Sequence, residues 1–374
     1  MPNRHVHIIA FDIPVPVNYG GAIDIFYKLK SLKKAGIKIH LHCFEYDRKP
    51  SPLLNDLCSE VFYYKRDNSK TKLFSSLPYI VATRYSEELL KNLLKDNYPI
   101  LFEGMHSCYF LNNRKLKNRR KIVRTHNIEH LYYGNLAKVE KNMFRRYYYL
   151  NEAGKLQRFE KILEHASGIA AISNNDTLYF SKKYHNVKTV SAFHPNESIT
   201  SKAGKGDFAL YHGSLEVGEN NEAALFLVRE VFNDLDIKLM IAGNKPSREL
   251  KAAVSGRSNI ILKTGIDSEE IYRLVNEAHV NILPTFQSTG IKLKLLAALF
   301  RGRFCLVNSP MIKKTGLESL CICREKAAEF KSELINLFAQ DYKISENAKR
   351  EEILLHNGFS NSHNASALAD MLFG

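Results

Sequence analysis

No apolar run in this chain of 374 residues is long enough to cross a bilayer, which takes about 20 residues. The N-terminal M-P-N-R-H-V-H-I-I-A leads directly into a strand pattern without a signal-peptide layout. A cytoplasmic location is expected, with peripheral attachment at the inner face of the membrane. Cysteine is sparse: of six, only Cys321 and Cys323 stand close together, and that C-x-C lacks the second pair that would complete a zinc site. Reduced structural thiols and no bound metal follow. The G-x-G-x-x-G fingerprint is missing after the first strand pattern, which argues against a nicotinamide-dependent dehydrogenase. Acidic residues are outnumbered, 39 against 54 basic ones, for a net charge of +15 and a pI near 9.3. Such a balance points to an anionic partner. Nucleic acid is not that partner: no recognisable nucleic-acid module is present, and the aromatic residues form no repeated stacking motif.

What the chain does contain is most legible between His279 and Pro310. A strand pattern from Val280 to Leu283 is followed by a loop with Thr285, Ser288, Thr289 and Gly290. A helix with Leu293, Leu296 and Leu299, a stop at Gly302, and a second strand from Phe304 to Val307 complete the run. This is one β-α-β unit. Gly290 lets the backbone approach a ligand closely, the first N–H groups of the helix attract an anion, and Lys292 and Lys294 add cationic donors. A phosphate or diphosphate is the ligand such a loop holds. The two lysines lie about 200° apart on a regular helix, so one at most points inward; Lys292, nearer the loop, is the expected one.

The pattern G-I-K-x-K-x-L-x-A-L-x-x-G resembles the donor-site segment of GT-B glycosyltransferases, close to glycosyltransferase family 4. Upstream, Tyr211-His-Gly-Ser-Leu, Asn221-Glu-Ala-Ala-Leu, Leu239-Met-Ile-Ala-Gly243, Ile260 to Gly265 and Ile271-Tyr272 follow in that family's order, so the resemblance spans the second half of the chain. It implies an α/β fold of two Rossmann-like domains facing an interdomain cleft. The donor, a nucleotide diphosphate sugar, is then expected on Gly213, Ser214, Gly243, Gly265, Thr289, Gly290, Lys292 and Lys294. No cofactor beyond that donor is implied, because cations stand where a metal-binding carboxylate pair would otherwise be needed.

Alternating strand and helix patterns run through both halves. Strands are expected at His5 to Phe11, Ile37 to Phe44, Ile100 to Phe102, Lys121 to Arg124, Gly168 to Ser173 and Lys188 to Phe193. In the second half they are expected at Phe208 to His212, Lys238 to Ala242, Asn259 to Leu262, Val280 to Leu283 and Phe304 to Val307. One long helix is expected from Glu140 to His165. The polar segment from Pro195 to Gly206 reads as a linker between an acceptor-side domain, residues 1–195, and a nucleotide-sugar domain, residues 206–357. A C-terminal helix over about 358–374 is expected to pack back on the first domain.

In the first domain, Asn18, Gly20 and Gly21 resemble the glycine loop on the acceptor side, although two glycines at a helix start are more often plain turn chemistry. Arg124-Thr-His-Asn-Ile-Glu-His130 follows a strand pattern. Its letters match the zinc-protease pattern H-x-x-E-H, but a strand end is the wrong setting for that motif. Resemblance places His126 beside donor sugar and acceptor as the catalytic residue, against the plainer reading of a structural histidine. The run Arg114, Lys115, Lys117, Arg119, Arg120, Lys121 is either a solvated surface or a patch for an anionic membrane.

The departures from the family pattern are informative. Two glutamates separated by seven residues are replaced by Thr289 and Ala297, so a ribose hydroxyl needs another acceptor, such as Glu318. The expected activity is transfer of a sugar to a glycan or lipid-linked glycan, with retention implied by the family. The alternatives are a non-catalytic binding protein of the same fold, and a sugar-nucleotide epimerase or phosphorylase.

Overall fold

The computed structural model describes residues 4–140, 142–286, 293–356 and 358–374. The chain forms two compact units, residues 1–195 with 359–374 and residues 196–358.

Unit 1 is built on seven strands: β1 (His5–Ala10), β2 (Lys38–Glu45), β3 (Glu60–Lys65), β4 (Ile100–Glu103), β5 (Lys121–Thr125), β6 (Gly168–Ala171) and β7 (Val187–Thr189). All pair in parallel, in the order β3-β2-β1-β4-β5-β6-β7. Both faces are covered, as the two-residue side-chain period of β1 requires. Val6, Ile8 and Ala10 pack with Ile25, Leu29 and Leu32 of helix α1 (Gly20–Lys34), together with Ala365, Leu368 and Leu372 of the C-terminal helix Asn361–Phe373. Ile9 points the other way, into a cluster with Leu89 and Leu93 of α2 (Glu87–Leu93). Helix α1 ends because Gly36 takes a left-handed φ of 74°, which costs a residue without Cβ little. The helical stretch expected from Glu140 to His165 is present as α4 (Met143–Phe159) and a 3-10 turn at Glu160–His165, and a helix outside that stretch, α3 (Glu129–Val139), precedes it to form a hairpin. Helix α5 (Asn174–Ser181) starts at the Ser173 cap, whose hydroxyl accepts from the Asp176 N–H.

Unit 2 has β8 (Ala209–His212), β9 (Leu239–Ala242), β10 (Ile260–Lys263), β11 (Val280–Leu283), β12 (Phe304–Val307) and β13 (Ile322–Cys323), again all parallel, in the order β10-β9-β8-β11-β12-β13. Its flanking helices include α6 (Gly218–Phe226), α7 (Ser268–Glu277) and α8 (Leu293–Arg301). Helix α8 buries Leu295, Leu296, Ala298, Leu299 and Phe300. Gly302 follows it because a Cβ there would lie 2.2 Å from the Asn281 side-chain nitrogen. Residues 196–206, the expected linker, are anchored within this unit: Gly204 and Tyr342 exchange backbone hydrogen bonds, and the Thr200 N–H donates to Phe300.

Each sheet reverses its strand order beside its first strand, between β1 and β4 in unit 1 and between β8 and β11 in unit 2. The carboxyl ends of those strands form the crevice where open parallel sheets hold ligands.

Candidate active site

At the unit 1 crevice, five ionisable side chains from three elements converge on one spot. Asp24 and Lys28 come from successive turns of α1, Glu103 ends β4, Arg124 lies on β5, and His126 follows its last residue. The Lys28 Nζ lies 2.8 Å from Asp24 and 2.6 and 2.7 Å from the two Glu103 oxygens. Arg124 donates to Asp24 at 3.0 Å and to the carbonyls of Val190 and Ser191. Two carboxylates and two cations balance, which is the condition for burying them. Burial alone would raise the Asp24 carboxyl, but Arg124 and Lys28 outweigh it and hold it well below the usual carboxylate range. Burial likewise opposes ionisation of Glu103, and Lys28 and His126 prevail to lower it.

His126 Nε2 lies 2.9 Å from Glu103 Oε2. A carboxylate only accepts, so Nε2 carries the proton of that bond and Nδ1 becomes the ring atom able to accept one. Asp24, Glu103 and His126 are also ligand-type groups close enough for a cation. The arrangement does not suit a metal, because Lys28 already bridges both carboxylates.

The elements around His126 explain the glycine loop. A Cβ on Gly21 would lie 2.7 Å from the Phe11 ring, and that ring packs edge-on against His126 at 5.4 Å. Gly21 therefore admits the aromatic that backs the histidine, which accounts for it without a ligand. Arg48 donates to the carbonyls of Ile13 and Pro16 and to the Asn18 side-chain oxygen, so Asn18 is part of a clamped loop. Gly20 opens α1 after Tyr19, which supplies no side-chain cap, and this leaves the first-turn N–H groups to a ligand or solvent.

His106, Glu129 and Asp176 of the same unit have no assigned role in the sequence pattern. Among the described residues, His106 Nδ1, Thr125 Oγ1, Glu129 Oε1 and Asp176 Oδ2 are buried without a hydrogen-bond partner. Burial, with Asp176 nearby, pushes the Glu129 carboxyl up to about 8. Burial also raises Asp176 to about 6 and drives His106 well below the usual histidine value. The signal was in the sequence: Glu129 follows His126 by three residues at a helix start.

At the unit 2 crevice, the Lys294 Nζ reaches Asn220 Oδ1 at 2.9 Å and lies over the Tyr211 ring at 5.0 Å. Of the two lysines, Lys294 is therefore seen turned toward the β8 edge; Thr289, Gly290 and Lys292 lie outside the described residues. The Thr285 hydroxyl donates to Glu219, a buried carboxylate in the first turn of α6 that the sequence had not singled out. His212, at the end of β8, is lowered to about 3 by burial and then by Lys294.

Three of the expected donor glycines, and Glu318, have contacts of their own within unit 2. A Cβ on Gly243 would sit 1.9 Å from the Gly213 carbonyl oxygen, so Gly243 serves the packing of neighbouring strand ends, with Gly213 itself against the Asn220 side chain. Gly265 has a φ of 71°, and its N–H donates to Asn244 at 2.7 Å. Glu318 is exposed, accepts from the Thr315 N–H and precedes β13. Its neighbour Ser319 lines a cavity of about 300 Å³ with Phe304, the first residue of β12. That is the edge where strands begin, so Glu318 stands away from the crevice. Ser214 keeps its place beyond β8, its carbonyl accepting from Asn220.

The basic run also needs correction. Arg119 donates to the carbonyls of Leu93, Asp96 and Tyr98, Lys121 to Leu111, and Arg120 to Met371 and Gly374. These three cations satisfy backbone carbonyls within unit 1. Only Arg114, Lys115 and Lys117 of the six are exposed.

No family model matches the chain. It is 27% identical over 354 residues, covering 88% of this chain and 89% of the relative, to an uncharacterized 44.6 kDa protein in the cps region of Klebsiella pneumoniae. Among solved structures it is similar to sucrose-phosphate synthase from Thermosynechococcus elongatus, with a TM-score of 0.69, 14% identity and 98% of each chain covered. A TarM mutant from S. aureus, in complex with fondaparinux, α-GlcNAc-glycerol and UDP, gives a TM-score of 0.64 at 11% identity, covering 99% of this chain and 100% of that one. An E. coli protein described as trehalose-6-phosphate bound with UDP-2-fluoro glucose gives 0.65 at 10% identity, with 99% of each chain covered. These neighbours are glycosyltransferases, and the chain shares their GT-B fold of two parallel-sheet α/β domains.

Proposed function

We propose that the chain is a glycosyltransferase that moves a sugar, a hexose or a close relative, from a nucleotide diphosphate donor to a glycan or lipid-linked glycan in polysaccharide biosynthesis. The observation that carries this reading is the Glu103–His126 pair at the carboxyl edge of the unit 1 sheet. A ring held by a buried carboxylate, with its opposite nitrogen able to accept, suits an attacking hydroxyl. His126 Nδ1 accepts the acceptor's hydrogen bond or proton, and Glu103 positions the ring.

The donor belongs to unit 2 in this reading. Thr289, Gly290 and Lys292 meet the diphosphate, Lys294 adds charge behind them, and Glu219 offers an acceptor for ribose or sugar hydroxyls in place of the glutamate missing at Ala297. Stabilising the departing diphosphate then falls to cations and N–H groups. UDP sugars are the first donors to try, because two of the similar structures contain UDP or a UDP sugar. Retention rests on the family resemblance, and the anomeric proton of the product reads it by NMR.

The assay is release of nucleoside diphosphate that depends on acceptor. His126→Ala should cut transfer by roughly 100- to 10,000-fold, the range for a lost acid–base group, and leave donor affinity unchanged. Equal losses in transfer and binding would return His126 to a structural role. A second reading, a binding protein without turnover, draws on Ala297, which is buried and offers no hydrogen bond where the pattern of the resembled family has a glutamate. Tight donor binding without transfer across a library of glycan acceptors would favour it.

A further inference from the structure

Helix α4 packs into unit 1 through one face and leaves large apolar residues exposed on the opposite one. Glu152, Lys155 and Leu156 are buried, and Lys155 Nζ donates to the Leu73 carbonyl at 2.7 Å. On a helical wheel Met143, Tyr147 and Leu150 fall on the opposite side, within about 60° of one another. They are 82, 74 and 53% exposed, and neighbouring Phe144 is 88% exposed. Leu131 and Val139 of α3, at 44 and 41%, are also exposed on the same hairpin. Single exposed apolar residues are ordinary, but six large ones on one helical hairpin are not.

Charge on the hairpin identifies what covers this surface. Lys138, Arg145 and Arg146 are exposed among the apolar residues. From Leu131 to Asn151 the sequence adds Lys141 and supplies a single acidic residue, Glu140, whose carboxylate accepts from the Asn142 N–H at 2.9 Å. A second copy of the chain docked through the same patch by a two-fold axis would set these cations against each other. An acidic lipid surface satisfies both features: aromatic and aliphatic side chains enter the interface, and Lys and Arg meet the headgroups. We propose that the α3–α4 hairpin is the membrane-docking element of this chain, and that its partner is a bilayer rich in anionic phospholipid. The basic run from Arg114 to Lys121 is not needed for it.

The absence of tryptophan from the chain makes the test direct. Phe144→Trp places a single reporter on the surface, and Leu178→Trp, at a residue 54% exposed on α5, gives a control on the same unit. With vesicles of phosphatidylcholine and phosphatidylglycerol at low salt, the reporter at 144 should shift to the blue and be quenched by brominated acyl chains. The control should do neither. Arg145→Gln with Arg146→Gln should weaken partitioning about 25-fold, at about fivefold for each charge near the surface. Replacing Met143, Phe144 and Leu150 by serine should reduce it at least tenfold, with the circular dichroism spectrum unchanged. No blue shift, an equal response on pure phosphatidylcholine, or a shift that grows with protein concentration without lipid would overturn the proposal, the last outcome pointing to a second copy. The measurement needs neither donor nor acceptor, so its failure leaves the transferase reading untouched, and failure of transfer leaves this one.

Discussion

Single residues near the two crevices have uses that their letters do not reveal. Gly21 and Gly243 match a ligand loop in sequence, but the nearest atoms to a Cβ at those positions are the Phe11 ring and the Gly213 carbonyl. Packing explains both glycines, and no pattern of letters distinguishes a clash with the chain from a clash with a ligand. Glu129 is the opposite case: a charged letter at a helix start that the fold buries and keeps protonated up to about 8, first by burial and then by Asp176. A carboxyl raised from its unfolded value binds more protons folded than unfolded between the two values. Stability from this group is therefore complete at low pH and lost as pH rises through 8, at up to about 1.4 kcal/mol per pH unit. Urea midpoints should show the wild-type chain losing stability between pH 6.5 and 8 relative to Glu129→Gln, which keeps the shape without the titration. Parallel pH profiles for the two proteins would mean that Glu129 is ionised in the folded state.

At the scale of elements, the alternation H-V-H in β1 and H-L-H in β2 places four histidines on one face of two adjacent strands. Their hydrogen bonds have a single consistent direction. Tyr64 donates to His42 Nδ1, His42 Nε2 to His7 Nδ1, and His7 Nε2 to the Asp96 carboxylate, while His5 Nδ1 donates to His40, whose own Nδ1 donates to Glu60. Each acceptor nitrogen in this chain must stay unprotonated. Burial lowers His7 to about 4 against the help of Asp96, and lowers His42 well below its usual value, with His7 and His40 adding to the shift. A histidine held below its unfolded value gives stability that is present above about 6.5 and lost as pH falls toward 4. Asp176 and Glu129, raised by burial, act with the opposite sign over part of that range. The informative comparison is thus between variants: His7→Gln with His42→Gln should flatten the acid side of the stability profile, and an unchanged slope would place the acid sensitivity elsewhere. The sequence made most parallel strands legible through short apolar runs between helix patterns. It hid β3, whose residues are mostly half-exposed at the sheet edge, and the two-residue β13. It also hid the use of Arg119, Arg120 and Lys121, because a cation that satisfies buried carbonyls has the same letter as one in solvent.

At the scale of the whole molecule, two parallel sheets that differ in order only by the extra edge strand β7 of unit 1 carry different chemistry at their switch points. Unit 1 gathers carboxylates and histidines around a buried ion network. Unit 2 brings Lys294 toward Asn220 and Tyr211 and puts the Thr285 hydroxyl on Glu219. The alternation of strands and helices was readable from the sequence, whereas this division of chemistry depends on which side chains turn to the carboxyl edge. If unit 2 alone takes the donor, a nucleoside diphosphate at about 100 times its Kd should stabilise that unit by about 2.7 kcal/mol and leave unit 1 as it was. Hydrogen exchange resolves the two, because each has its own core and its slowest amides report its own opening. Amides of β8, β11 and α8 should slow by about 100-fold on adding UDP, and Lys294→Ala should reduce that slowing while keeping the exchange of the free protein. Glycan acceptor should slow amides around β4, β5 and the start of α1 instead. Protection by UDP at Glu103 to His126, with none at α8, would exchange the two assignments and place the anion at the uncapped start of α1.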